Sequence, residues 1–132
     1  MFKDVDNDRI KTFVCNQESK EQLATLIRQT GSNFHIIIDD GCHTMKQHQI
    51  SISVLFKHLK TGGVYGILNL HTYEIPHYVG ADLKTTKMLR NFQVDGKIRS
   101  CHIKIEESIY LKKIQKVFRF LRKSEIAVIC KK

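Results

Sequence analysis

The sequence predicts an α/β fold: a mostly parallel sheet with helices on both faces, closed at one edge by an antiparallel hairpin. Three observations predict it. Residues 34–38 (FHIII) are apolar apart from His35, and residues 64–68 (VYGIL) form a second aliphatic run, as expected of strands covered on both faces. Between them Met45, Ile52, Leu55, Phe56 and Leu59 recur at helical spacing, so strand, helix and strand follow one another with short links. Residues 115–121 and 125–131 then read as two strands around a short turn. Strand–helix–strand succession makes right-handed crossovers and parallel pairing, and the hairpin is the antiparallel exception.

The remaining elements follow in order. Residues 10–15 (IKTFVC) are β-branched and aromatic and predict a strand. Ser19 with Gln22 matches a capping box, Leu23, Leu26 and Ile27 share a helical face, and Gly31 is the stop. Thr44 with Gln47 predicts a second capping box, and residues 60–63 (KTGG) a turn. Residues 70–81 read as a loop holding the only proline, Pro76; residues 84–92 and 106–114 read as short helices. No repeat or linker interrupts the chain, so residues 1–132 are expected to be one domain.

Composition narrows the classes. The chain of 132 residues is 42% hydrophobic and 27% charged, values of an ordinary globular protein. No apolar run approaches the roughly 20 residues that span a bilayer. The first eight residues, MFKDVDND, are too polar for a secretory signal, so a cytoplasmic location is expected. Cys15, Cys42, Cys101 and Cys130 show no metal spacing and read as reduced. Cys42 lies beside Asp40, and neighbouring carboxylates raise a thiol pKa, which argues against a nucleophile. The formal charge of +9 gathers late, at Lys112, Lys113, Lys116, Arg119, Arg122, Lys123, Lys131 and Lys132. No nucleic-acid motif accompanies that charge, which reads as a solvated face.

Chemistry in α/β proteins gathers at the carboxyl ends of strands, where this chain places Asp39, Asp40, Gly41 and His43. Asp40 and His43 are expected to emerge together and face a crevice. His48 falls on the apolar helical face with Ile52 and Leu55 and reads as a core histidine. Tyr73, Tyr78 and Phe92 could line a pocket or simply pack.

The run FHIIIDDGCHT, then HQ, then LFKHLKTGGVY and LNLHTY resembles the class I S-adenosylmethionine-dependent methyltransferases. Within that class it looks like the subgroup of the macrolide-sugar O-methyltransferases and cephalosporin-hydroxylase-type proteins. The ending VFRFLRKSEIAVICKK is similar to their closing hairpin. The resemblance runs from Arg9 onward and is dense between Phe34 and Thr72.

It implies S-adenosylmethionine as cofactor, with Asn16, Gln17 and Asp39 near it, His43 as general base, and Asp40 with Asn69 as metal ligands. Mg²⁺ would hold a sugar hydroxyl and lower its pKa, and His43 would take the proton. Where the subgroup has an acidic pair before Leu70-His71-Thr72, this chain has Leu68-Asn69, which weakens the expected metal site. The resemblance also implies a glycine-rich turn after a first strand and an acidic residue after a second. Neither precedes Ile10, so a truncated, Rossmann-like methyltransferase sheet is expected. The implied function is O-methyl transfer to a sugar or small hydroxylated molecule, weak or absent in the isolated chain unless a partner chain supplies the missing half; a second chain would also cover the exposed sheet edge. The alternative is a non-catalytic interaction module on the same fold.

Overall fold

The computed structural model describes residues 9–41, 44–75, 83–120 and 125–132. Helix α1, Lys20–Thr30, starts where the Ser19 hydroxyl accepts the Gln22 N–H and ends at Gly31, whose positive φ of 88° suits glycine. Only half of the expected capping box forms there, because the Gln22 side chain accepts the N–H of Asn16 instead of that of Ser19. Strand β1, Phe34–Asp39, follows. Helix α2, Met45–Leu55, carries the full Thr44–Gln47 box. A single 3-10 turn, Phe56–His58, leads into β2, Leu59–Ile67.

The onset of β2 corrects the sequence reading, which put Leu59 on the helix and residues 60–63 in a turn. Phe34 pairs with Leu59 and Ile36 with Val64, so residues 60–63 form a bulge inside the strand. Gly62 takes a positive φ of 77°, and a Cβ on Gly63 would lie 2.8 Å from the Lys60 carbonyl oxygen. The glycine pair therefore serves the bulge. Helix α3, Thr85–Asp95, is closed by a left-handed Gly96. Helix α4, Ile105–Leu111, precedes the expected hairpin, β3 at Ile114–Phe120 and β4 at Ile126–Lys131.

The sheet runs β1-β2-β4-β3, parallel between β1 and β2 and antiparallel elsewhere. The α/β class holds, with a smaller parallel part than expected. Residues 10–15 join no ladder, and Ile10, Phe13 and Val14 stay exposed.

The two sheet faces differ. Tyr65, Ile67, Ala127, Ile129 and Val117 are buried in one cluster with Ile52 and Phe56 of α2 and its turn, Met88 and Leu89 of α3, and Leu111 of α4. Helix α1 packs through Leu23 onto Ile50 and Val54 of α2. On the other face Ile36, Ile38 and Phe118 are exposed, and Val64, Val128 and Cys130 are half-buried. The buried residues of the described helices thus serve one face, where both had been expected to be covered.

His48 is fully buried, as read. Lys131, read as part of the solvated basic face, is instead buried and donates to the carbonyls of Lys57 and Leu59. Burial, with Lys113 nearby, lowers its pKa. Among the described residues no helix is long and apolar enough to cross a membrane.

Candidate functional site at the carboxyl end of β1

Strand alternation places Ile37 and Asp39 on the covered face, where the parallel register sets them beside Tyr65 and Ile67. Asp39 is therefore a carboxylate at the rim of the core, 5% exposed. Such a group needs donors. Gln17 Nε2 donates to its Oδ1 at 2.5 Å, and the Tyr65 hydroxyl donates to its Oδ2 at 3.3 Å. The Tyr65 pKa lies well above the usual 10.0, first from burial and then from the Asp39 charge, so its hydroxyl remains a donor.

Gln17 reaches Asp39 by passing over Gly41. A Cβ there would lie 1.9 Å from Gln17 Oε1. The absence of a side chain at Gly41 makes room for this contact. Asn16 is exposed, and its Oδ1 accepts the Glu18 N–H at 3.0 Å. Of the expected cofactor residues, Gln17 and Asp39 come together at one cleft, and Asn16 braces the turn beside it.

The cleft measures about 340 Å³. Gln17, Asp39, Asp40 and Gly41 form its polar side, and Leu23, Ile37 and Leu55 its apolar side. Cys15 also lines it, and burial raises that thiol's pKa.

Asp40 lies beyond the strand and is exposed. Its Oδ1 accepts a hydrogen bond of 2.8 Å from Asn69 Nδ2. Asn69 sits at φ 58°, a left-handed conformation that asparagine tolerates better than most residues. Just before it the Leu68 N–H donates to the Asp39 carbonyl at 3.0 Å, which ties the two parallel rims together. The expected metal pair, Asp40 and Asn69, is thus brought together, with the amide nitrogen toward the carboxylate. Among the described residues no group of three or more His, Cys, Asp or Glu could hold a metal ion.

His43, the expected base, and Cys42 lie outside the described residues, as do Tyr78 and the side chain of Tyr73. Phe92 packs against the main core. His71 is half-buried, and its Nδ1 has no partner among the described residues. Tyr65 was missed as a site residue. Its place opposite Ile37 depends on the bulge at residues 60–63, which sets the phase of β2.

No family model matches the sequence. The chain is 37% identical over 76 residues to the mycinamicin VI 2''-O-methyltransferase of Micromonospora griseorubida, a match covering 58% of this chain and 19% of that one. It is 36% identical over 77 residues to the 8-demethyl-8-(2-methoxy-alpha-L-rhamnosyl)-tetracenomycin-C 3'-O-methyltransferase of Streptomyces olivaceus, covering 58% of this chain and 20% of that one. The chain therefore spans about a fifth of the length of these curated relatives. Among solved structures, the MycE methyltransferase from the mycinamycin biosynthetic pathway, in complex with Mg, SAH and mycinamycin VI, superposes with a TM-score of 0.74 at 27% identity. That superposition covers 96% of this chain and 33% of MycE.

Proposed function

We propose that this chain, a homologue of macrolide- and sugar-directed O-methyltransferases, forms one wall of an S-adenosylmethionine-dependent O-methyl-transfer site. The observation that carries the reading is the cleft of about 340 Å³ at the carboxyl rim of the parallel pair, with Gln17, Asp39 and Tyr65 hydrogen-bonded at its base. Its volume suits a small molecule, for which sites run from about 300 to 1,000 Å³. An apolar side beside a buried carboxylate suits a ligand with an aromatic base and polar hydroxyls.

S-adenosylmethionine, when bound, supplies an electrophilic methyl group on a sulfonium. Gln17 and Asp39 would hold it, with Asn16 on the adjoining turn. Asp40 would accept the hydrogen bond of the acceptor hydroxyl, and His43 would take the proton as the oxygen attacks. Holding the hydroxyl in line is the chief contribution asked of these residues. The acceptor class is a sugar or small hydroxylated molecule, supported by the relatives' names. Mg²⁺ suits the described rim poorly, since one carboxylate and one amide are few ligands for a hard divalent cation.

Catalysis in the isolated chain is expected to be weak or absent. Among the described residues β1 is an edge strand, and Ile36 and Ile38 are 63% and 64% exposed, so further polypeptide, such as a second chain, would cover that edge and face. The same exposure favours the second reading, a non-catalytic interaction module of this fold. Nucleic acid is not needed to account for the basic residues. Among the described residues Cys15, Cys101 and Cys130 form no disulfide, which suits the cytoplasm.

Calorimetric titration with S-adenosylhomocysteine tests the reading. Binding should occur and weaken at least about tenfold in Gln17→Ala, since a lost hydrogen bond to a charged group costs about 1.5–3 kcal/mol. Absence of binding at millimolar ligand would refute it. Methyl transfer to a sugar that vanishes in His43→Ala would rule out the non-catalytic reading.

A further inference from the structure

We infer that Asn69 takes the place of a cation at Asp40, so that this corner of the cleft binds a neutral hydroxylated ligand directly, without a resident divalent metal. Asn69 Nδ2 lies 2.8 Å from Asp40 Oδ1. The orientation is chemically dictated: turned the other way, the amide oxygen would face a carboxylate oxygen and repel it. The amide thus presents the positive end of its dipole where a cation would sit, and it does not offer its oxygen as a ligand there.

The rest of the rim agrees. A hard divalent cation needs several oxygen ligands, and its affinity follows their number and charge. Leu68 contributes hydrocarbon, and no grouping of three or more His, Cys, Asp or Glu forms among the described residues. Asp40, an exposed carboxylate, lines the cleft. An anion would be repelled there, whereas a sugar or polyol hydroxyl can donate to Oδ2. The left-handed backbone at Asn69 fixes where its amide starts from, so the pair is set by the rim of β2.

The ligand class rests on Asp40 being the acceptor end of the proposed site; the metal statement can be tested without donor or acceptor. The experiment is a Mn²⁺ titration of the full chain by calorimetry and thermal melting, for the natural sequence and for Asn69→Asp. The natural chain should show no saturation up to about 10 mM and no change in melting temperature. Asn69→Asp should gain saturable binding, tighter by at least about tenfold, because a second carboxylate joins the first. Its melting temperature should rise with Mn²⁺ as the repulsion between Asp40 and the new carboxylate is relieved.

Saturation of the natural chain below about 1 mM, or a folded Asn69→Asp that binds no tighter, overturns the inference. If Asn69→Asp does not fold, the side-chain amide signals of Asn69 in a ¹⁵N spectrum of the natural chain decide. They should hold their positions through about 10 mM Mg²⁺, and movement on addition of the ion overturns the inference. Failure to bind S-adenosylhomocysteine would refute the proposed function while leaving these metal outcomes unchanged.

Discussion

The two faces of the sheet are built from neighbouring residues of the same strands and have opposite fates. On one, Ile37, Tyr65, Ile129 and Val117 stand in register across all four strands under three helices. On the other, Ile38, Gly66, Val128 and Phe118 form the next row, and its two ends are exposed. Both rows are apolar enough for a core. Hydrophobicity therefore marks a surface that can be buried, and the packing of helices decides which one is. The candidate site belongs to the covered side: Asp39 continues that face at the rim, which is why it is buried and why Tyr65 can reach it.

The largest expected difference between the faces lies in the core. Ile129→Ala removes a fully buried side chain and should cost about 2–5 kcal/mol in urea denaturation. A cost below about 1 kcal/mol would mean that the covered face is not packed as described.

Next is Tyr65→Phe, which separates the charge at the rim from the packing beneath it. The folded-state pKa of Tyr65 is raised, so its stabilisation is complete below the ordinary value of 10.0 and is lost as pH rises beyond it. Lys131, whose pKa is lowered, acts in the opposite sense but is common to both proteins. The natural chain should therefore lose stability more steeply than Tyr65→Phe above pH 10, and parallel curves would show that the hydroxyl is not buried.

Gly41→Ala should have a smaller effect than the core substitution, about 1.5–3 kcal/mol, by pushing Gln17 off Asp39. A reduction in S-adenosylhomocysteine affinity resembling that of Gln17→Ala would tie the glycine to the site. The smallest effect belongs to the bare face. Ile38→Ala should change stability by no more than about 0.5 kcal/mol. A core-sized loss in the isolated chain would show that this face is already covered.

Much of the fold was legible because it depends on local pattern. The Thr44–Gln47 capping box, the aliphatic run at residues 34–38 and the alternation of the closing hairpin each carry their own short-range reason. Readings that needed a partner fared worse. Residues 10–15 carry strand-forming residues but form no strand, Leu59 follows a helical period but pairs with Phe34, and Lys131 looks solvated until the carbonyls of Lys57 and Leu59 are placed above it. At the site, Asp39 and Asp40 were named from the strand end, and Gln17 and Asn69 through the family resemblance. Their division into a held carboxylate and an amide-bound one was not, because it depends on which residues two rims bring within 3 Å or so.

The amino-acid sequence by itself determined the α/β class, the succession of helices and strands, and the concentration of carboxylates where one strand ends. Periodicity, capping and turn chemistry act within a few residues, so one chain suffices to express them. Tertiary structure alone decided the phase of β2, the covering of a single face, and the pairing of Asn69 with Asp40. Each of these is a choice among contacts between segments far apart in the chain, and it is settled only when the helices, the bulge and the two parallel rims come together.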